Sequence, residues 1–308
     1  MRRLWQAGYP RGKSVSLGCA NNWGATVRRL VMILSAVVAM TLTQPAMAAP
    51  ARADDSWHNF IQLWWDWGVV YSDLVTITDQ GGVIVYEGKP GWEGQGLGPG
   101  NTVVLDADAL VTPGDWDGNA QADWMFRSSD GGLYLRTGIG GADAEQVGWG
   151  WDVMTAMVSP GDWNGDGASD VLARDGAGVL WMYRGDGSGG WLPGRTQVGS
   201  GWNIMASIFS GRDFNADGKP DVLAVDTGGA MWLYPGNGTG GWMSRVQVGW
   251  GWQKMDLIAA PGDFDYDGHA DVIARDIAGS MWLYPGNGAG SFTWTRRLLN
   301  IPTPALFG

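Results

Sequence analysis

The chain of 308 residues holds 51 Gly and 21 Trp, 20 basic against 31 acidic residues, two His and one Cys. A net charge of -11 excludes a nucleic-acid partner, which would need a basic face to neutralise phosphates. One Cys and two His exclude an internal disulfide and the usual thiolate or histidine metal sets, and glycine without a three-residue period excludes collagen.

Taken from the N-terminus, Arg2, Arg3, Arg11, Lys13, Arg28 and Arg29 are the only charges before residue 49, and an apolar run, Leu30–Leu42, follows them. Two small-residue sites come next, Ala46-Met47-Ala48 and Ala51-Arg52-Ala53. This order of basic region, short apolar core and small residues predicts a signal peptide over residues 1–48, with cleavage as late as residue 53. A run of thirteen residues falls short of the roughly 20 that a bilayer span requires, and no Lys or Arg flank follows to stop transfer. The chain is therefore expected outside the cell, with no membrane attachment after cleavage. Arg28-Arg29 before Leu30 leaves the export route open. Cleavage removes Cys19 and leaves 14 basic and 31 acidic residues, a net charge of -17. A disulfide-free exported chain with that charge has bound cations as its obvious stabiliser. Mass spectrometry of secreted protein should find a chain that begins after Ala48 or Ala53; an intact Leu30–Leu42 segment would refute the assignment.

The remainder, residues 54–308, reads as one motif used five times, in units of approximately 57–101, 102–149, 150–200, 201–250 and 251–308. The first Asp of an acidic loop recurs at 115, 162, 213 and 263, spacings of 47, 51 and 50. The first unit is degraded: Asp73 opens DLVTITDQGGVIVYEGKPGW, which matches the strand-turn-strand of later units without their acidic loop. Each unit predicts four short strands, in the fourth unit Met205–Phe209, Asp221–Val225, Met231–Tyr234 and Ser244–Val248, separated by Gly-rich turns. Met231-Trp232-Leu233-Tyr234 is apolar at every position, which predicts a strand with both faces buried between neighbouring sheets. Such units predict an all-β chain, a single five-bladed β-propeller of four-stranded blades, each of about 50 residues. Trp181, Trp232 and Trp282, one per unit at the same place, are expected to pack between blades.

Four acidic loops share the pattern D-x-[DN]-x-[DN]-x-x-x-D: Asp115, Asp117, Asn119 and Asp123; Asp162, Asn164, Asp166 and Asp170; Asp213, Asn215, Asp217 and Asp221; Asp263, Asp265, Asp267 and Asp271. Alternate oxygen-bearing side chains converge only where the chain curls tightly, and Gly167, Gly218 and Gly268 at the sixth position permit the curl. Hard oxygen donors without His or Cys select calcium. An EF-hand would need Glu at the twelfth position, where Phe126, Ala173, Ala224 and Ala274 stand, and helical flanks where strands are expected. Ala120 and Asn119 replace the Gly and Asp of the other loops, which makes the first of up to four calcium sites the weakest.

These loops, with the following D-V-L-A strand, resemble the FG-GAP or VCBS repeat family, whose calcium-loop blades build integrin-α-type propellers; a count of five is similar to that of five-bladed animal lectins. The resemblance covers roughly Trp57 to the C-terminus. It implies that calcium is held by the first, third, fifth and ninth side chains and by the seventh backbone carbonyl, here that of Gln121, Ala168, Lys219 or His269.

Catalysis is not expected, because His58 lies in the irregular first unit and His269 inside an acidic loop, so no Ser-His-Asp or Cys-His set has a usable base. A second repeated motif, V-G-[WS]-G-W, marks the unit boundaries and contributes Trp149, Trp151, Trp202, Trp250 and Trp252. Gly-flanked indoles suit stacking on a pyranose ring, which predicts an extracellular glycan or glycoprotein partner bound through several weak sites. The same indoles also suit plugging gaps between blades, and an acidic extracellular module that recognises a protein partner is the competing expectation.

Overall fold

The repeated alternation of short apolar runs with Gly-rich turns folds as antiparallel four-stranded sheets in which consecutive strands are neighbours. The computed structural model describes residues 106–137, 144–265 and 267–299 with their side chains. It also describes the backbone of strands Pro45–Ala46, His58–Asp66, Val69–Ile77, Gly82–Tyr86 and Asn101–Val104. The signal peptide expected over 1–48 otherwise lies outside the described residues, as does Cys19.

Four blades, rather than the expected five, are described with their side chains. The second unit forms Ala107–Gly114, Asp123–Ser128, Leu133–Arg136 and Glu145–Gly148. The third forms Met154–Gly161, Asp170–Asp175, Leu180–Gly185 and Trp191–Gly199. The fourth forms Met205–Arg212, Asp221–Asp226, Ala230–Pro235 and Val246–Trp250, with Pro45–Ala46 added opposite Ile208 and Phe209. The fifth forms Met255–Gly262, Asp271–Asp276, Met281–Tyr284 and Arg297–Leu299. The first unit is described as a backbone sheet of the four strands from His58 to Val104. The first strands of successive blades are neighbours, and His58–Asp66 touches both Met255–Gly262 and Ala107–Gly114.

The core lies between sheets. In the second strand of the fourth blade Val222, Leu223 and Ala224 are all fully buried, so both faces are covered there. The third strand behaves differently from expectation: Met231 and Leu233 are buried, whereas Trp232 and Tyr234 are half-buried. Strand twist rotates the outer strands away from the neighbouring sheet, so burial on both faces belongs to the first and second strands and fades outward. Trp181, Trp232 and Trp282 are correspondingly half-buried. Each indole N–H donates at 2.9 Å to Asp175, Asp226 or Asp276. The guanidinium of Arg195, Arg245 or Arg296 covers each ring at 4.0, 4.1 or 3.8 Å.

Strand reversal sorts the connections to two ends of each blade. The acidic loop between first and second strands shares one end with the turn between third and fourth strands. The second turn and the crossing to the next blade share the other. Blades are stitched at both ends. At the loop end Gly189, Gly240 and Gly290 donate backbone N–H groups to the carbonyls of Trp116, Trp163 and Phe214 in the preceding blade, at 3.0–3.2 Å. At the junction end Trp151, Trp202 and Trp252 donate to Gly131, Gly178 and Gly229 at 2.9–3.0 Å. Arg127 and Arg174 reinforce the crossing by donating to carbonyls of the next blade, Arg174 to Trp202 and Met205.

Candidate functional site

Each acidic loop is a run of side-chain-capped turns. The first carboxylate accepts N–H groups three to five residues on: Asp162 takes those of Gly165, Asp166 and Gly167, and Asp213 those of Asp217 and Gly218. The fifth side chain accepts the N–H of the seventh residue, which places Asn119 on Gln121, Asp166 on Ala168, Asp217 on Lys219 and Asp267 on His269. At the third position Asp117 and Asn215 accept the N–H of the fifth residue. The curl requires left-handed backbone at the sixth position, where Gly167, Gly218 and Gly268 have φ of 95°, 82° and 91°. Ala120 takes the same conformation at φ 66°, so the first loop keeps its shape against a steric cost of about 1 kcal/mol.

The ninth residues, Asp123, Asp170, Asp221 and Asp271, are fully buried. One oxygen of each accepts the N–H groups of the second and third loop residues, at 2.7–3.2 Å. The other oxygen of Asp221 accepts from Gly236 and that of Asp271 from Gly286. Burial pushes the carboxyl groups of Asp170, Asp221 and Asp271 up to about 7, with the neighbouring loop carboxylates adding to the rise. Burial also raises that of Asp263.

The loops fit a hard cation. One oxygen from each of Asp115, Asp117 and Asp123 lies within 4.8 Å of the others, and the same holds for Asp263, Asp265 and Asp267. Oxygens on opposite sides of one calcium ion are about 5 Å apart. Buried Oδ1 atoms of Asp115, Asp170 and Asp263 have no hydrogen-bond donor among the described residues. The second and third acidic loops carry Asn164 and Asn215 at the third position, so their donor sets mix amide and carboxylate oxygens. Arg297 stands 2.9 Å from Asp265, placing a cation beside the last loop.

At the opposite end the junction motif divides its tryptophans. Trp149 and Trp250 are 85% and 73% exposed. Trp151, Trp202 and Trp252 are buried, each opening a short 3₁₀ turn. Their rings pack on Tyr183 and Trp191, on Tyr234 and Trp242, and on Tyr284 and Phe292. The glycines follow from local geometry rather than from a need to uncover Trp149 and Trp250: Gly150 and Gly251 have left-handed backbone, at φ 72° and 87°, and Gly148 and Gly249 answer to the packing. A Cβ on Gly148 or Gly249 would collide with the indole of Trp151 or Trp252.

Residues 213–274 match an FG-GAP-like repeat. A search of curated proteins returns no similar sequence. Among solved structures the chain is similar to an Agrocybe aegerita lectin described as recognising non-reducing terminal N-acetylglucosamine, with 20% identity, TM-score 0.45, and coverage of 81% of this chain and 67% of that one. It is similar to the BP39L lectin of Burkholderia pseudomallei at 16% identity and TM-score 0.48, covering 82% and 67%. It is also similar to AofleA of Arthrobotrys oligospora at 10% identity and TM-score 0.45, covering 84% and 86%.

The pattern D-x-[DN] leaves the second loop residue unspecified, yet Trp116, Trp163 and Phe214 are among the most buried side chains of the described residues. The signal was present, since all four loops carry an aromatic there, the last being Phe264. No helix among the described residues is long and apolar enough to cross a membrane.

Proposed function

We propose that the mature chain is a secreted, calcium-stabilised, five-bladed β-propeller that binds an extracellular glycan or glycoprotein through Trp149 and Trp250 and catalyses no reaction. Closure with five blades is supported by the neighbouring first strands, which run in sequence order from His58–Asp66 to Met255–Gly262 and back to His58–Asp66. The side chains of Asp115, Asp117, Asn119 and Asp123, with their equivalents in the next three loops, would hold calcium. Its charge would offset the carboxylates the fold brings together.

The observation that carries the ligand reading is the contrast within one motif: two indoles stand open to solvent while those two residues later are buried. A bare indole is a flat apolar face with a polar edge, suited to the apolar face of a pyranose. Two such sites bind weakly alone and gain through simultaneous engagement. Val153, Ile204 and Ile277 are also exposed at the junction end, and that apolar surface favours a protein partner as the second reading.

A glycan array probed with calcium-loaded protein should show retention that free sugar competes. The double substitution Trp149→Ser and Trp250→Ser should abolish it, with stability changed by no more than the roughly 0.5 kcal/mol per site of surface substitutions, since Ser200 already occupies the equivalent place in the third unit. Retention that survives the double substitution, or capture of a protein partner that sugar cannot displace, transfers the assignment to the second reading.

A further inference from the structure

We propose that the calcium loops at 115, 162 and 213 each govern the junction at the far end of the interface shared with the next blade, so that metal there sets the order of the backbone around residues 147–151, 198–202 and 248–252, respectively. The pairing crosses from one blade to the following one. The inference rests on the ligand reading only for its consequence, since Trp149 and Trp250 lie within two of the governed segments.

Three aromatic chains of the same construction carry it. Trp116, between Asp115 and Asp117, meets Trp191 of the next blade at 4.7 Å, and Trp191 meets Trp151 at 5.6 Å. Trp163 meets Trp242 at 4.5 Å, and Trp242 meets Trp202 at 5.3 Å. Phe214 meets Phe292 at 5.3 Å, and Phe292 meets Trp252 at 5.7 Å. Each chain begins at the loop end and finishes at the junction end of the same interface.

Both termini of the chain are tied to backbone. At the start, the ninth carboxylate accepts the aromatic residue's own N–H, as Asp221 does from Phe214. The aromatic residue's carbonyl accepts an N–H from the next blade, as Phe214 does from Gly290. The order of the oxygen ligands and the place of the ring are thereby one property. At the finish, the indoles of Trp151 and Trp252 press on Gly148 and Gly249, the residues immediately before Trp149 and Trp250. The middle ring adds a direct tether: Trp191 Nε1 donates to the carbonyl of Val147 at 2.9 Å and Trp242 Nε1 to that of Val198 at 2.6 Å. Close-packed side chains with no room to slip transmit displacement, so loss of order at the loop reaches the junction.

Hydrogen exchange measured by mass spectrometry on the mature protein, in calcium and in EGTA, tests the pairing without any glycan. Asp213→Ala in calcium should raise exchange in residues 246–252 about tenfold more than in 197–203, the scale of ordinary coupling. Asp162→Ala should show the reverse. Equal effects on both segments, a larger effect of Asp213→Ala on 197–203, or exchange indifferent to calcium would overturn the proposal. Phe214→Leu keeps every oxygen ligand and guards against misfolding of the Asp variants. It should bind calcium with unchanged stoichiometry by calorimetry, yet lose calcium-dependent protection of 246–252; protection that persists also overturns the proposal. Failure of the glycan reading would leave these exchange results standing, and glycan binding without the predicted exchange pattern would leave that reading intact while ending this one.

Discussion

Removal of bound calcium should lower the melting temperature of the protein, and should lower it further at about pH 8 than at about pH 5. A ligand present at about 100 times its dissociation constant adds roughly 2.7 kcal/mol per site to the folded state. Several such sites would supply a large part of the 5–15 kcal/mol typical of a folded domain. The pH dependence follows from Asp170, Asp221 and Asp271, whose folded carboxyl groups titrate near about 7 against an ordinary value of 3.8. In metal-free protein the folded state therefore holds more protons than the unfolded chain between those values. The contribution of these groups is fully present below about pH 4 and is lost as pH rises through about 7. Calcium requires the carboxylates, so protons compete with it over the same window and its affinity climbs toward a plateau above about pH 7. Raising the pH thus weakens the metal-free fold, while the metal-bound one, whose carboxylates are ionised as they are in the unfolded chain, changes little, and the two melting curves diverge. Differential scanning fluorimetry at several pH values, on protein saturated with calcium and on protein stripped of it at about pH 8 and then exchanged into metal-free buffer, measures the gap. A gap that stays constant with pH would show that the buried ninth carboxylates take no part in metal binding, and no gap at any pH would remove calcium from the account.

The blades were legible because their signals are local and repeated. Strand limits in the fourth unit fall within a few residues of expectation: Met205–Phe209 was expected where Met205–Arg212 is found, and Ser244–Val248 where Val246–Trp250 is found. The acidic loops were legible for the same reason, since the oxygen donors, the sixth-position curl and the period all sit in the chain itself. Residues whose role is set by a neighbouring blade were not. Trp181, Trp232 and Trp282 look like core in a continuous apolar run, but strand twist and an arginine in or just before the outermost strand place them at a covered surface. The junction glycines suggested an open ring, whereas Gly148 and Gly249 are small because a buried indole three residues on lies against them. The aromatic second residue of each loop gives no period-two or turn signal, so its burial becomes visible only when the next blade is in place.

Trp163→Ala costs about 3–5 kcal/mol, the range for removing a large buried aromatic ring. For a chain of this length that corresponds to a fall of roughly 10 °C in melting temperature. Trp163 is 0% exposed. Its ring fills the interface against Trp242 at 4.5 Å and lies so close to Gly236 of the next blade that a Cβ there would sit 2.8 Å from it. Stacked sheets on both sides limit collapse, so the substitution leaves a cavity as well as losing transfer energy. The indole N–H has no acceptor among the described residues, so hydrogen bonding contributes little to the loss. Trp163→Phe should accordingly recover a good part of it, as Phe214 fills the corresponding place in the fourth unit. Trp250→Ser should move the melting temperature far less, because that ring is mostly in solvent. Calorimetric unfolding of the three variants in saturating calcium separates packing from metal binding. A Trp163→Ala protein that melts no lower than Trp250→Ser would mean that the interface closes over the gap and that the loop aromatics do not rivet the blades together.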